Sequence, residues 1–337
     1  MTQSHFYVVA VDIGGTKVAG CLVDFGPDES RRPEPGSIVR QPADAQQGSN
    51  AVLRRVFAVI SEVLRQAGSE QSQNIAGVGV SAAGVVGEDG SIVSATDLIR
   101  DWAGTKLRER IMERFGLPAV VIGDVHAHAL GESHWGAGRV SNVTLLAAVG
   151  TGIGGAVCVG GRLLRGSHGM GGHIGHVSVA AAGTAECSCG RRGHVEPIAS
   201  GSGIIAEYEQ VCAASGRSYA PDVDGRDISR KAVEGEKEAG LVIRTAGMSL
   251  GIVLGSLANV VDPDLVILSG SVTAAGDLWW KSLRDGYMQS AMDIAASVPL
   301  VRGELGDDAP LIGAAEAFVD TVGARGEKRS VWVEQKR

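Results

Sequence analysis

The sequence predicts an α/β fold in which two related domains flank an interdomain cleft. A length of 337 residues suits two domains of about 150 residues each. Strand-like and helix-like patterns alternate through the first half of the chain, which is typical of α/β folds. A motif of strand, glycine turn and strand occurs at residues 9–23 and again at 147–159. Such a repeat indicates a duplicated unit that offers one glycine loop from each domain to the cleft.

The first of these motifs predicts a β-hairpin. Tyr7 to Val11 is an apolar run that stops at Asp12-Ile13-Gly14-Gly15-Thr16, and Val18 to Val23 follows as a second strand. The remaining elements of the first half are read from apolar spacing and from stops at Gly or Pro. They are strands at 37–40, 75–81 and 119–122 and helices at 51–66, 105–115 and 125–135.

The second motif begins the other half of the chain. Ala147 to Gly152 leads into a strand at 156–159, so this half also opens with a hairpin. Its later elements are expected as helices at 202–214, 236–261, 278–292 and 312–322 and a strand at 265–268. We therefore expect an N-terminal domain at 1–122 completed by a C-terminal helix at 311–325, a C-terminal domain at 123–310, and a charged tail at 326–337.

Composition and charge narrow the class of protein. Hydrophobic residues make up 44% and charged residues 20%, which is enough apolar material for sizeable cores. A formal net charge of −7 disfavours nucleic acid and anionic membranes as partners. No apolar run is expected to reach a membrane span of roughly 18 residues, and the N-terminus lacks an export-signal pattern, so we expect a cytoplasmic protein. Five cysteines, an odd number, argue against a disulfide framework and leave a metal site open.

The glycine loops indicate phosphate binding rather than a dinucleotide fold. Gly150 to Gly155 formally matches the dinucleotide fingerprint, but a strand follows where that fingerprint requires a helix. No Walker loop occurs in the sequence. The two hairpins carry backbone N–H groups that an anion can approach closely, because glycine has no Cβ. Two such loops facing each other would hold the phosphates of a nucleotide.

Four motifs in a fixed order identify a family resemblance. They are residues 12–17 (DIGGTK), 77–84 (GVGVSAAG), 150–154 (GTGIG) and 268–271 (LSGS). In this order they resemble the first phosphate motif, the sugar-loop strand, the second phosphate motif and the adenosine loop of the ROK family (repressors, open reading frames and sugar kinases). The resemblance runs from about residue 8 to residue 318 and implies two actin-like (ribonuclease H-like) domains.

The resemblance also implies an ATP-dependent kinase that uses Mg²⁺. The nucleotide contacts would come from Asp12, Gly14, Gly15, Thr16, Lys17, Thr151, Gly152 and Gly270. Asp12 would hold Mg²⁺ through water near the β- and γ-phosphates. Lys17 would neutralise phosphate charge or would simply be an exposed hairpin lysine.

Asp124 is the candidate catalytic residue. It stands between the expected strand at 119–122 and the following helix, and the ends of strands carry the chemistry of many α/β folds. A kinase that acts on an alcohol needs a carboxylate to orient the hydroxyl and accept its proton. The segment from Asp124 to Glu132 resembles the catalytic Asp of the family and the helix after it. A helix N-cap is a compatible second role for the same side chain.

The sugar pocket implied by the resemblance departs from its glucose-type members. Its residues are Gly84, Asp97, Gly123, Asp124, His173, His176 and Glu196. Gly123 stands where glucose-type kinases carry Asn, His173 where they carry Glu, and Asp97 where they carry Asn. A substrate hydroxyl that is buried without a hydrogen-bond partner binds unfavourably. The sequence therefore favours a C7-cyclitol such as 2-epi-5-epi-valiolone in antibiotic biosynthesis, with the aminosugar kanosamine or glucose as alternatives.

A zinc site is expected in the loop at 176–194. The structural zinc site of the family has one His and three Cys at this spacing, and the matching residues in this chain are His176, Cys187, Cys189 and His194. Imidazole is a good tetrahedral zinc ligand, so a Cys₂His₂ site is chemically sound. Such a loop would also orient His176 and Glu196 towards the substrate. The alternative is a loop of reduced thiols without a metal.

Two other functions compete with a kinase. A sugar-sensing repressor of the same family would carry a winged helix-turn-helix, and the 11 residues before Asp12 are too few for one. A catalytically silent ligand-binding protein is disfavoured by the retained Asp124 and by both phosphate loops. Homodimers are common in the family, so a homodimer is expected.

Overall fold

The computed structural model describes residues 5–28, 30–96 and 98–323 of the chain. Their contacts group into two units. The first unit comprises the described residues up to Gly131 together with those from Asp307 onward, and the second comprises Glu132–Gly306. The chain leaves the first unit later than the 122/123 boundary expected from the sequence. The charged tail at 326–337 lies outside the described residues.

Among the described residues, twelve α-helices and β-strands lead up to the boundary between the units, which falls within the last of them. In chain order they are β1 (Phe6–Ile13), β2 (Lys17–Phe25), β3 (Glu34–Pro35), β4 (Val39–Pro42), α1 (Ser49–Gln66), α2 (Ser69–Gln73), β5 (Ile75–Ala82), β6 (Val85–Val86), β7 (Ile92–Ser94), α3 (Leu107–Phe115), β8 (Ala119–Gly123) and α4 (Asp124–Trp135).

The remaining elements complete the second unit and return to the first. They are β9 (Val143–Val149), β10 (Ile153–Val159), β11 (Arg162–Leu163), α5 (Glu196–Ala199), α6 (Gly201–Ala214), α7 (Gly225–Val233), α8 (Lys237–Val261), β12 (Leu265–Ser269), α9 (Asp277–Ser290), β13 (Leu300–Arg302) and α10 (Ala309–Val322).

The sheet of the first unit has the order β3-β2-β1-β5-β8, with β4 also pairing with β2. β1 and β2 form the expected antiparallel hairpin, whereas β1, β5 and β8 run parallel. Successive side chains of a strand point to opposite faces. Val9 and Val11 of β1 therefore pack in one core with α1, and Val8 and Ala10 pack in the other with α10.

The sheet of the second unit repeats this order as β11-β10-β9-β12-β13. β9 and β10 form an antiparallel hairpin, and β12 and β13 run parallel to β9. Both units thus place a glycine hairpin first and add parallel strands on one side of it. This arrangement confirms the α/β fold class predicted from the sequence.

The long helix α8 corrects the expectation that no apolar run reaches the length of a membrane span. It is long and apolar enough to cross a membrane by length and composition, with a mean hydropathy of 1.7 over its most apolar stretch. However, 61% of that stretch is buried within the fold. Gly247, Gly251 and Gly255 of α8 lie directly against the backbone of α9. These contacts are those of a core helix.

Candidate active site and metal cluster

Three parallel strands end together at one edge of the first sheet and carry the candidate chemistry. In the register of β1 and β5, Asp12 lies opposite Ser81. In the register of β5 and β8, Ala82 lies opposite Gly123, and α4 begins at the next residue, Asp124. The two acidic residues predicted from the sequence are therefore brought to the same edge of the sheet.

The Asp12 carboxylate is held by a neighbouring hydroxyl. Ser81 Oγ donates a hydrogen bond of 2.6 Å to Asp12 Oδ1. Burial raises the pKa of Asp12, while the Ser81 hydrogen bond and the positive charge of Lys17 act in the opposite direction. The Ser81 hydrogen bond thus fixes the orientation of the Asp12 side chain.

Asp124 is partly buried at the first turn of α4. Its Oδ1 accepts the N–H of Val125 at 2.8 Å. Burial raises the pKa of Asp124 to about 6, and the negative charge of Asp12 adds to the effect. A carboxyl with this pKa is largely ionised at neutral pH and is a stronger base than an ordinary aspartate. It is suited to accept a proton from a bound alcohol.

The predicted sugar residues of the first unit lie beside Asp124. A side chain at Gly123 would approach the carbonyl oxygen of Gly84 at 3.4 Å, so these two glycines are neighbours. The Trp102 side chain contacts the chain next to Gly84, where its Nε1 donates to the carbonyl oxygen of Ala83 at 3.0 Å. Asp97, the remaining predicted residue of this group, lies outside the described residues.

The first glycine hairpin joins β1 to β2. The N–H of Gly14 donates to the carbonyl oxygen of Lys17 at 3.0 Å and closes the turn. Thr16 and Lys17 are exposed, and Lys17 Nζ lies 3.6 Å from the Asp307 carboxylate. Gly15 packs closely under the side chain of Leu98. The exposed part of the turn is open to an anionic ligand.

The second glycine hairpin joins β9 to β10 and contacts α6. The N–H of Gly150 donates to the carbonyl oxygen of Gly152 at 2.9 Å. Ser202 Oγ, in the first turn of α6, donates to the carbonyl oxygen of Thr151 at 2.7 Å. Gly270 has φ +88° and lies so close to the end of β9 that a Cβ would be 2.4 Å from the Val149 carbonyl oxygen. A side chain is therefore excluded at this predicted nucleotide position.

Glu196 links the second hairpin to the loop at residues 176–194, here called the cysteine loop. Its Oε2 accepts the N–H of Ile153 at 3.0 Å, and its Oε1 accepts the Ser188 hydroxyl at 2.6 Å. Cys187 Sγ lies 3.5 Å from the same Oε1. The orientation of this predicted substrate residue is thus set by both the hairpin and the loop.

The four predicted zinc ligands form one cluster. The potential ligand atoms of His176, Cys187, Cys189 and His194 all lie within 4.8 Å of one another. His176 Nδ1 is 3.4 Å from Cys187 Sγ, and Cys189 Sγ is 3.4 Å from His194 Nδ1. Ligands at ordinary Zn–N and Zn–S distances in a tetrahedral site are about 3.5 Å apart. The two nitrogens and two sulfurs therefore fit zinc in donor type and in spacing.

His173 lies next to this cluster. The rings of His173 and His176 are stacked with centroids 6.3 Å apart. Burial lowers the pKa of His173, and the neighbouring His176 lowers it further. Both effects favour the neutral form of the His173 imidazole, whereas an acidic residue in its place would bring a negative charge.

The residues of each unit also fit a nucleotide and its cation. Mg²⁺ prefers carboxylate oxygens, which Asp12 supplies in the first unit. Both hairpins present glycine backbone at exposed turns, which suits phosphate oxygens.

Two contacts of the candidate site were not predicted from the sequence: the hydrogen bond of the Ser81 hydroxyl to Asp12 and that of the Ser188 hydroxyl to Glu196. The signal for the first is a single hydroxyl in the otherwise apolar strand β5.

Comparison with known proteins agrees with this geometry. The ROK family model matches residues 8–321. The N-acetylmannosamine kinase of Shigella flexneri is 30% identical over 318 residues, covering 91% of this chain and 97% of that protein. The structure of the ROK hexokinase from Thermus thermophilus has a TM-score of 0.77 and 30% identity, covering 94% of this chain and 100% of that one.

A nucleotide complex is among the similar structures. The ROK family glucokinase from Streptomyces griseus, solved with glucose and AMPPNP, has a TM-score of 0.75 and 27% identity, and the match covers 92% of this chain and 98% of that one. The family model extends over nearly the whole chain, and both phosphate motifs lie in the hairpins described above. The protein therefore belongs to the ROK family.

Proposed function

We propose that this ROK-family sugar kinase transfers the γ-phosphoryl group of ATP to the primary hydroxyl of a sugar-like polyol. The observation that carries the proposal is the placement of Asp12 and Asp124 at the same edge of one sheet, with the pKa of Asp124 raised to about 6. One carboxylate is suited to a cation and the other to a proton. Relatives named as glucokinases and N-acetylmannosamine kinases support the same reaction class.

In this mechanism Asp124 acts as general base. Its carboxylate accepts a hydrogen bond from the primary hydroxyl and takes the proton as the oxygen attacks the γ-phosphorus of ATP. The bond from that phosphorus to the bridging oxygen breaks, and ADP carries the released electron pair. The backbone N–H groups of the hairpins at Gly14–Gly15 and at Thr151–Gly152 bind phosphate oxygens. Asp12 would hold Mg²⁺ through water, and the bound cation would neutralise phosphate charge.

The substrate we propose is a C7-cyclitol such as 2-epi-5-epi-valiolone. The kinase would then act in a pathway of antibiotic biosynthesis. The support is the absence of a polar side chain at Gly123 and the neutral His173 next to His176. A glucose hydroxyl that needs an amide or a carboxylate at these positions would lose that partner. Glucose is the second candidate, because several related enzymes are glucokinases. Kanosamine is the third.

The remaining assignments accompany this function. We infer a structural zinc ion on His176, Cys187, Cys189 and His194, because four protein ligands fill a tetrahedral site and leave no position for water. We also infer a cytoplasmic protein and, because homodimers are common in the family, a homodimer. The net charge of −7 disfavours nucleic acid and anionic membranes as partners.

The first experiment replaces Asp124 by Asn. Asparagine keeps the size of the side chain but cannot accept the hydroxyl proton, so we expect turnover to fall by at least about a thousandfold. Binding of fluorescent ATP analogues should be unchanged, because Asp124 does not contact nucleotide in this mechanism. Turnover within about tenfold of the wild-type rate would contradict the assignment of Asp124 as general base.

A second experiment identifies the substrate. ADP release is measured with Mg-ATP and, in turn, glucose, N-acetylmannosamine, kanosamine and 2-epi-5-epi-valiolone. We expect the highest kcat/KM for the cyclitol. Efficient use of glucose would show that Gly123 and His173 are tolerated replacements and would overturn the substrate proposal, leaving the kinase assignment in place.

A further inference from the structure

We propose that Ser81 is a positioning residue for phosphoryl transfer, because its hydroxyl fixes the Asp12 carboxylate in the orientation that receives the divalent cation. This inference rests on the proposed function, in which the Asp12 carboxylate accepts a hydrogen bond from a water bound to the cation. Ser81 does not touch substrate in this proposal and acts only through Asp12.

The contact between the two side chains is set by the backbone. Asp12 of β1 and Ser81 of β5 are register partners on neighbouring parallel strands. Side chains at paired positions of adjacent strands point to the same face of a sheet. The hydroxyl therefore meets the carboxylate wherever the strands pair correctly, and the observed distance from Ser81 Oγ to Asp12 Oδ1 is 2.6 Å.

The surroundings of Ser81 argue for a specific role of the hydroxyl. Ser81 has no exposed surface, and its chain neighbours Val80 and Ala82 are also fully buried. A buried hydroxyl is unfavourable unless it forms a hydrogen bond. An alanine would fill this position of the strand at less cost, and the serine directs its donor to the carboxylate that the mechanism assigns to the cation.

The hydrogen bond has a consequence for metal binding. Donation to one carboxylate oxygen restricts rotation of the Asp12 side chain before a cation arrives, so less conformational freedom is lost on binding. Hydrogen bonds to charged groups are among the stronger ones in proteins. Removing this donor is expected to weaken the affinity for a divalent cation about tenfold.

The test compares Ser81→Ala with the matched variant Ser91→Ala. Ser91 Oγ donates to Asp89 Oδ1 at the same distance of 2.6 Å, but the pair lies in the turn between β6 and β7 and is assigned no part in the reaction. Mn²⁺ replaces Mg²⁺, and its binding to the complex with AMPPNP is titrated by electron paramagnetic resonance. We expect the Mn²⁺ Kd to rise about tenfold in Ser81→Ala and to remain unchanged in Ser91→Ala.

Three controls separate the possible failures. A thermal unfolding curve and the KM for the sugar-like substrate show whether Ser81→Ala disturbs the fold generally, because a purely structural role would lower the Tm without changing the Mn²⁺ Kd. If Ser81→Ala does not fold, Ser81→Cys keeps a similar shape with a weak donor and is titrated instead. A wild-type Mn²⁺ Kd in the folded variant would overturn the inference.

Asp12→Asn distinguishes failure of this inference from failure of the proposed function. If Asp12→Asn loses Mn²⁺ affinity while Ser81→Ala keeps it, only the role of Ser81 is wrong. If Asp12→Asn itself binds Mn²⁺ as the wild type does, the assignment of Asp12 in the proposed function is wrong, and the role of Ser81 fails with it.

Discussion

The raised pKa of the Asp124 carboxyl, about 6, lies within the pH range of an ordinary activity profile. Burial and the charge of Asp12 raise its pKa to about 6, and a general base works only when it is ionised. We expect kcat/KM for the sugar-like substrate to rise with pH along a limb of unit slope, to be half-maximal near pH 6, and to be level above it. A pH profile at fixed Mg-ATP measures this. A profile without that acidic limb would contradict the role of Asp124.

The same pKa has a consequence for the stability of the Asn variant. The folded pKa of Asp124 lies above its ordinary value of 3.8, so the folded protein binds more protons than the unfolded chain between these two values. Stability from this group is therefore present at low pH and is lost as the pH rises towards 6. Asp124→Asn removes the ionised form and should be at least as stable as the wild type above that pH. Loss of its activity would then report chemistry rather than unfolding.

At the scale of single residues, sequence reasoning found groups with their own chemistry and missed groups that act through a neighbour. Asp12 and Asp124 stand beside glycines and strand ends, which mark them locally. Ser188 is marked by nothing local, and Ser81 only by being the one hydroxyl in strand β5. Their partners Asp12 and Glu196 become visible only when strand register and loop path are known. Asp12 lies 69 positions from Ser81 in the chain.

The cysteine loop brings together the four proposed zinc ligands through backbone contacts. His176 and His194 are brought together because Ser178 and His194 form a β-bridge and Val195 N donates to the Val177 carbonyl oxygen. Four ligands then meet within one small cluster. Zinc removal should loosen the loop and with it the Ser188 contact on Glu196.

The fourth ligand is tested by substitution of His194. We expect His194→Ala to lower zinc affinity about a hundredfold or more and to raise the KM for the sugar-like substrate, whereas His194→Cys should retain zinc. His168→Ala, at an exposed loop position, is the control. Zinc content is measured by mass spectrometry after dialysis against a weak chelator. Full zinc content in His194→Ala would show that His194 is not a ligand.

The helix pair α8 and α9 depends on glycines for its close approach. A Cβ at Gly251 would lie 2.1 Å from the Leu283 carbonyl oxygen and 2.8 Å from the Tyr287 nitrogen, both of them backbone atoms of α9. A Cβ at Gly240 of the same helix would meet only the end of the flexible Arg244 side chain, at 3.4 Å. The two glycines therefore differ in what they allow, although both lie in α8.

This difference predicts opposite effects of the same substitution. Gly251→Ala must push the helices apart and should destabilise the protein by about 2 kcal/mol. Gly240→Ala should be neutral or stabilising by up to about 1 kcal/mol, because alanine favours the helix more than glycine does. Urea unfolding followed by circular dichroism measures both. Equal effects of the two variants would contradict the close packing at Gly251.

For the whole molecule, the repeated glycine motif predicted two related domains, because each copy indicates a strand, a glycine turn and a strand. The short edge strands β3, β11 and β13 were not predicted, since two or three residues carry no detectable periodicity. The helix α7 was also missed, although Asp224 caps it by accepting the N–H groups of Arg226 and Asp227. Such caps are visible afterwards but are common in loops as well.

The chain passes from the first unit to the second after Gly131 and returns after Gly306. Glu132 lies next to both of these positions and has no exposed surface. Its carboxylate accepts three backbone N–H groups within the second unit. They belong to Ala137 at 3.0 Å, Glu304 at 3.0 Å and Leu305 at 2.8 Å. One side chain therefore ties the segment that enters this unit to the segment that leaves it.

Replacing Glu132 should show how much this tie contributes to stability. Glu132→Ala leaves three backbone donors without their acceptor, and each such loss costs about 1 kcal/mol or more, so we expect a destabilisation of about 3 kcal/mol. Glu132→Gln keeps one acceptor oxygen and should fall between Ala and the wild type. Glu304→Ala removes only an exposed ion pair with Arg139 and should change stability by less than about 1 kcal/mol. Urea unfolding orders the variants. If Glu132→Ala were no less stable than Glu304→Ala, contacts other than the Glu132 carboxylate would hold together the segments that enter and leave the second unit.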